Sequence, residues 1–252
     1  NDAFEIKANN RMYESKGIQI IGRSRLHFLN GDHDLMIGIR KHSDEMDRFQ
    51  KVDDYAMENE NLMLTTEGTW GTGRSNNRLY LAEATSYFLE DNINLGKLDL
   101  TMGIRSEDIL VERFDWMGDG SWNDSTREQS PTLKRKKMNI IVPGLGIVYQ
   151  WKPSTQFIAG VHKGFSPPGP GVDEDEDVQP EESVNFEWGT RIRSGFTDLN
   201  LIAFHNRYAN LLGDDTEFAG EGTGDQFNGG KVNIDGLELS LSHKVHFKGF
   251  WI

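Results

Sequence analysis

"KLDLTMGIRSED", residues 97–108, sets Leu98, Leu100, Met102 and Ile104 at even positions and Lys97, Asp99, Thr101 and Arg105 at odd ones, with Gly103 among them. A repeat of two is that of a β-strand, whose successive side chains point to opposite faces. One face of this strand is apolar and the other charged. The same alternation runs through "SVNFEWGTRIRS", 183–194, where Val184, Phe186, Trp188 and Ile192 oppose Asn185, Glu187, Arg191 and Arg193. It returns in "DGLELSLSHKVHF", 235–247, with Leu237, Leu239, Leu241, Val245 and Phe247 against Glu238, Ser240, Ser242 and Lys244. No stretch of about ten residues carries a clear 3.6-residue period.

Such runs number about nine, near 17–29, 34–50, 78–92, 97–113, 138–151, 155–165, 184–193, 197–209 and 232–247. Their connections alternate in length. "NGDH" (30–33), "INLG" (93–96), "KPS" (152–154) and "SGF" (194–196) are short, whereas 51–77, 114–137, 166–183 and 210–231 are long. A soluble sandwich has no reason to keep tight turns at one end and long loops at the other. An antiparallel up-and-down transmembrane β-barrel does. Most runs also reach the roughly nine to eleven residues that a tilted strand needs to cross a bilayer. The charged face would line a watery lumen and the apolar face would meet lipid. Hydrocarbon forces closure, since each open edge would leave unsatisfied backbone groups. The nine strands are therefore expected to be part of a larger closed sheet.

Composition narrows the function. The chain has 252 residues, a formal net charge of −13 and no cysteine. The acidic balance argues against nucleic acid, whose phosphates call for a basic face. Without cysteine there is no disulfide, thiolate metal site or Cys nucleophile. No secretory signal opens the chain at Asn1, so an exported protein would have its true N-terminus elsewhere. Enzyme motifs are absent: there is neither a Gly-x-Ser-x-Gly elbow nor a His-Glu-x-x-His. "GEGTG", 220–224, lacks the following helix that would hold a phosphate. His243 and His246 lie three apart, which on one strand puts them on opposite faces and prevents a shared metal. No cofactor is expected.

Two features keep more than one reading. The acids Asp173 to Asp177, after "SPPGPG", suit a solvated loop, a calcium site or contact with a cationic ligand, and they lack the spacing of a preformed calcium loop. Tyr87 and Phe88, Tyr149 and Trp151, Phe157, and Phe247 with Phe250 and Trp251 stand near run ends beside short turns. They fit an aromatic girdle at a membrane interface or ordinary cross-strand pairs.

Several stretches carry a family resemblance. "PGLGIVYQWKPSTQFIAGVHKGFSPP" (143–168) resembles a strand, turn and strand of TonB-dependent outer-membrane receptors, and "ESVNFEWGTRIRSGFTDLNLIAFHNRYANLL" (182–212) resembles the hairpin that follows. "NGGKVNIDGLELSLS" (228–242) is similar to the next strand. "RMYESKGIQ" (11–19) and "RLYLAEATSYFLEDNINLGKLDLTMGIRSEDI" (78–109) are similar to the ferric-citrate branch.

The resemblance implies a barrel of about 22 strands with a plug in its lumen. Residues 1–252 would be part of the barrel domain, with the plug and its energy-coupling box not in this chain. It further implies a monomer in the outer membrane of a Gram-negative bacterium, in contact with lipid. Its work would be to bind ferric citrate or another ferric siderophore outside the cell and import it with energy from TonB, making and breaking no bond. An anionic chelate calls for arginines, whose planar fork matches carboxylates. Position and charge then select Arg40 and Arg48 on the strand leading to the 51–77 loop, Arg74 and Arg78 flanking its return, and Arg113 at the end of the next outgoing strand. The alternative for each is a lumen-wall salt bridge. Two other proteins remain open: a soluble extracellular β-sandwich binding module, favoured by a mean hydropathy of −0.60, and a passive porin.

Overall fold

The computed structural model describes residues 3–71, 77–116, 127–172, 177–214, 226–247 and 250–251. Its strands are β1 (Ala3–Phe28), β2 (Gly31–Glu58), β3 (Asn61–Thr66), β4 (Asn77–Asn94), β5 (Leu98–Asp115), β6 (Thr132–Lys152), β7 (Thr155–Ser166), β8 (Glu181–Ser194), β9 (Thr197–Ala209), β10 (Leu212–Asp214), β11 (Gln226–Asn228), β12 (Val232–His243), β13 (His246–Phe247) and β14 (Phe250–Trp251). One antiparallel sheet runs β1-β2-β4-β5-β6-β7-β8-β9-β12, with β3 folded back on β2. Nine strands thus meander up and down in chain order. β1 and β12 are left as the edges, and the barrel is not closed within this chain. Among the described residues the other sheets are two-stranded hairpins, so no second layer makes a sandwich.

The four short turns share one end. Leu29 and Asn30 take positive φ of 50° and 58°, the backbone of a two-residue hairpin turn. Gly96 (φ 78°) and Gly195 (φ 54°) supply the left-handed residue in two more. The fourth turns at Pro153 and Ser154 between β6 and β7.

Strand pairing defines two faces, because partners in register share one. Outward lie Leu35, Ile37 and Ile39 of β2, Tyr87 and Leu89 of β4, Met102 and Ile104 of β5, and Ile141, Leu145 and Tyr149 of β6. Phe157, Trp188, Leu201 and Leu239 continue this face along β7, β8, β9 and β12. Many of them are bare: Ile37 is 60% exposed, Trp188 51% and Leu239 66%. A continuous exposed apolar band of this kind asks for hydrocarbon, not water. From Ile141 to Tyr149 it spans eight steps, about 27 Å along the strand and about 20 Å once tilted by about 40°.

On β4, β5 and β6 the apolar side changes face above the band. There Ala84, Ile109, Val111, Met138 and Ile140 point inward as a buried cluster, with Ala82, Val142 and Phe165 packed against it. Outward at the same level stand Lys41, Glu83, Asp108 and Lys137. The strands therefore run on well past the apolar band into a region where the buried surface is the inner one.

Several boundaries differ from the expected ones. β1 begins at Ala3, not near 17, because the polar stretch around Asn9 and Asn10 pairs residue for residue with the far half of β2. The span 51–77 is not all loop: β2 runs on to Glu58, and Asn59 and Glu60 (φ 47° and 65°) turn it into β3. Likewise β10 and β11 form a hairpin inside 210–231. β6 starts at Thr132 and passes through Pro143. Its ladder with β7 stops at Gly144, so beyond the proline β6 is paired on the β5 side alone, where a residue without an N–H is tolerated. The last run ends at His243, after which the Lys244 N–H donates to the Phe196 carbonyl (2.8 Å), and β13 pairs separately with β14.

Candidate functional site

Register brings three of the expected arginines together. Arg48 is directly opposite Arg78, and Arg78 is opposite Asp115. One row nearer the membrane, Arg113 stands between Tyr80 and Lys134. Arg11 of β1 continues the first row beside Arg48. All these residues occupy the inner face at the end that carries the long connections. Like charges directly opposite one another weaken a sheet, so pairing Arg11, Arg48 and Arg78 in one row is not what strand stability would select.

Arg40 also faces inward but lies eight residues closer to the turns, about 27 Å along β2. It stands between Gln19 and Ser86, outside the cluster. Arg74 lies outside the described residues.

The cluster is half-buried and short of anions. Arg78 Nε donates to Asp115 Oδ2 at 2.8 Å, and Arg113 Nε lies 3.7 Å from the same oxygen. Side-chain exposure is 26% for Arg78, 20% for Arg113 and 13% for Asp115. Burial works against the Arg78 charge, yet Asp115 and Tyr80 beside it hold its pKa above the ordinary arginine value. The Nε atoms of Arg48 and Arg113 are buried with no hydrogen-bond partner. Each such orphan costs about 1–3 kcal/mol. Among the described residues Arg48 has no ion pair, which leaves the three arginines around a single described carboxylate, Asp115.

The connection after β7 comes down onto this face. Pro168 and Val172 are fully buried, and a Cβ on Gly171 would stand 3.0 Å from Arg113 Nη1, so glycine lets the backbone approach the guanidinium. The same connection is tied to β11: Gly169 N–H donates to Gln226 Oε1 (2.5 Å) and Gln179 N–H to Asn228 Oδ1 (2.7 Å). The connection after β5 goes the other way. Arg127 makes a two-pronged contact with Asp47 on the outward face (2.6 and 3.0 Å), donates to Asn77 Oδ1 (2.7 Å), and lies over the rings of Phe49 and Trp116.

Deeper along the lumen wall, the charges Arg105 and Glu107 are paired with each other and with Ser86, whose hydroxyl donates to Glu107 Oε2 (2.5 Å) and accepts from Arg105 Nη2 (3.0 Å). They are a self-satisfied network. Of the aromatics, Tyr149 and Phe157 are cross-strand partners and Trp151 packs on Phe157 at 5.7 Å, all three exposed beside the β6–β7 turn, so these rings are cross-strand pairs on the outward face. Phe88 is a correction: it points inward and covers Gly38, away from any outward girdle. The side chains of Phe247, Phe250 and Trp251 lie outside the described residues, as do Asp173–Glu176, "GEGTG" and the His246 ring. His243 Nδ1 meets the Thr197 hydroxyl at 2.8 Å. Among the described residues no group of three or more His, Cys, Asp or Glu could hold a metal.

Asp115, Tyr80, Arg11 and Lys134 escaped the sequence reading. Only the register, which sets 115 opposite 78, would have signalled them.

Comparison with known proteins follows the same outline. The family described as "TonB dependent receptor-like, beta-barrel" matches residues 4–251. The fold is similar to the ferric citrate transporter FecA in its unliganded form (19% identity, TM-score 0.71, 94% of this chain and 33% of that one). It is also similar to the ferric-catecholate import receptor Fiu from E. coli K12 (15%, TM-score 0.67, 94% and 36%). A third is the siderophore receptor PiuA from Acinetobacter baumannii (14%, TM-score 0.65, 96% and 41%). This chain therefore spans between a third and two fifths of those structures. No curated protein matches it by sequence.

Proposed function

This chain belongs to the TonB-dependent receptor β-barrel family, and we propose that it forms part of the wall of a receptor that captures an anionic ferric chelate outside a Gram-negative cell and admits it through the outer membrane. The family and the structures it resembles are receptors and transporters, not enzymes. Ferric citrate is the first ligand proposed, and another ferric siderophore the second. Energy would come from TonB through a plug outside residues 1–252, and the whole receptor would act as a monomer bathed in outer-membrane lipid.

The observation that supports this most is the cluster of Arg48, Arg78 and Arg113 on the inner face beyond the apolar band. Like charges placed side by side, two with orphaned buried Nε donors, cost stability, and an anion with several carboxylates recovers it by filling those donors. A passive pore gains nothing from that expense in stability. The residues Arg40 and Arg74 complete the earlier set, but Arg40 stands apart from the cluster.

Binding of radioactive ferric citrate to cells making the full-length receptor tests the site. Replacing Arg48, Arg78 and Arg113 together with alanine should weaken binding by at least about tenfold, since each charged hydrogen bond contributes about 1.5–3 kcal/mol. Arg40→Ala should leave it within about twofold, consistent with a side chain outside the contact set. Unchanged affinity in the triple variant would remove the site.

A further inference from the structure

Asp115 sits inside a cluster whose business is to hold anions. It is the partner of Arg78 across β4 and β5, accepting from its Nε at 2.8 Å, and the same oxygen lies 3.7 Å from Arg113 Nε. Only 13% of its side chain is exposed. A guanidinium carries five N–H donors; Asp115 takes the Nε of Arg78 and Tyr80 takes a further bond, which still leaves donors of Arg78 for something else. Arg48, directly across from Arg78, is not met by this carboxylate, and its Nε stays buried and unpartnered.

We propose that Asp115 is a specificity-determining residue: its carboxylate holds Arg78 and Arg113 in place while the site is empty and sets how much negative charge an incoming ligand must carry. The inference rests on the reading of this cluster as the chelate site. Among the described residues Arg48, Arg78 and Arg113, with Arg11 and Lys134 in the same two rows, stand around the one carboxylate of Asp115, so positive charge is in excess. A ligand with several negative charges outcompetes the fixed anion, whereas one with a single charge gains little over what Asp115 already supplies. Position and charge are separable here, because an asparagine keeps an acceptor oxygen for Arg78 Nε while removing the charge.

The test uses the full-length receptor in detergent, with heat-modifiable gel mobility to establish that each variant is folded. Ferric citrate is titrated as the anionic probe and a neutral ferric hydroxamate as the control for charge. Asp115→Asn should bind ferric citrate about tenfold tighter, the order of effect expected when one like charge is removed from a half-buried site, and leave the neutral chelate unchanged. The gain should shrink as salt rises. Asp115→Ala, which loses the acceptor as well, should fall below the asparagine variant. Wild-type binding of ferric citrate with no gain in Asp115→Asn, or an equal gain for the neutral chelate, overturns the role of Asp115 alone. Failure of the wild-type receptor to bind any anionic chelate overturns the chelate site and this inference together.

Discussion

The lower and upper halves of β4, β5 and β6 solve opposite problems with one strand each. Near the turns, Ile104 and Ile141 are 48% and 52% exposed on the outward face, while the inner face carries the Ser86–Glu107–Arg105 network. A few residues farther on, Ile109, Val111, Met138 and Ile140 are at most 8% exposed on the inner face, and charges take the outer one. The backbone is continuous through the change. What differs is what each face asks for: hydrocarbon outside and water inside for the lower half, water outside and a packed apolar cluster inside for the upper half. Each strand follows its surroundings by shifting its apolar positions by one residue.

That contrast is breakable by charges placed on either side of the switch. In the full-length receptor, Ile109→Asp buries a carboxylate without a partner among apolar side chains, and should cost about 4 kcal/mol or more, read as a large fall in the urea midpoint. Met102→Arg, seven residues away but facing lipid at mid-depth opposite Leu145, should cost about 2–4 kcal/mol. If Ile109→Asp proved as mild as an exposed substitution, the inner cluster would not be a core.

The two outer connections sharpen the same contrast, since one is fastened to each face. Arg127→Ala removes a two-pronged ion pair and two ring contacts, and should open the segment after residue 126 by about 2 kcal/mol. Hydrogen exchange would show this as lost protection near Gln129, with the amides of 169–172 on the inner face unaffected. Loss of protection at both places would mean that the connections move as one.

The smallest effect expected is a pH response at the top of β2. The Gly68 N–H donates to Asp53 Oδ1 at 2.8 Å, and this bond, with Lys51 alongside, holds the carboxyl below its ordinary value of 3.8. A depressed carboxyl stabilises above the unfolded pKa and stops doing so as pH falls through the lower folded one. Protection of the Gly68 amide should therefore be full at about pH 5 and disappear only below the ordinary aspartate range. Loss of protection already at about pH 5 would disprove the pairing.

Much of the sheet was legible because period two survives wherever one face meets a single solvent. "KLDLTMGIRSED" shows it, and so do the four tight turns with their glycines and proline. The signal failed where the phase switches: "ILV" at 109–111 and "IIV" at 140–142 are unbroken apolar triplets, with neighbours turned to opposite faces. It failed again at Ala3–Lys16, where both faces are wet and nothing enforces alternation. Arg48, Arg78 and Arg113, selected from charge and position beside the long connections, stand together by register, while Arg40, selected in the same way, lies apart because β2 runs on to Glu58. Asp115 was invisible for a different reason, since a partner 37 residues away in sequence is fixed only by the pairing.

The central claim is that this sheet crosses an outer membrane with its short turns inside and its long connections outside. The chain contains no cysteine, so single thiols placed in the intact receptor report position directly. With a membrane-impermeant maleimide, Asp175→Cys should label on whole cells and Ser154→Cys only after lysis. Labelling of Ser154→Cys on intact cells, with Asp175→Cys protected, would contradict it.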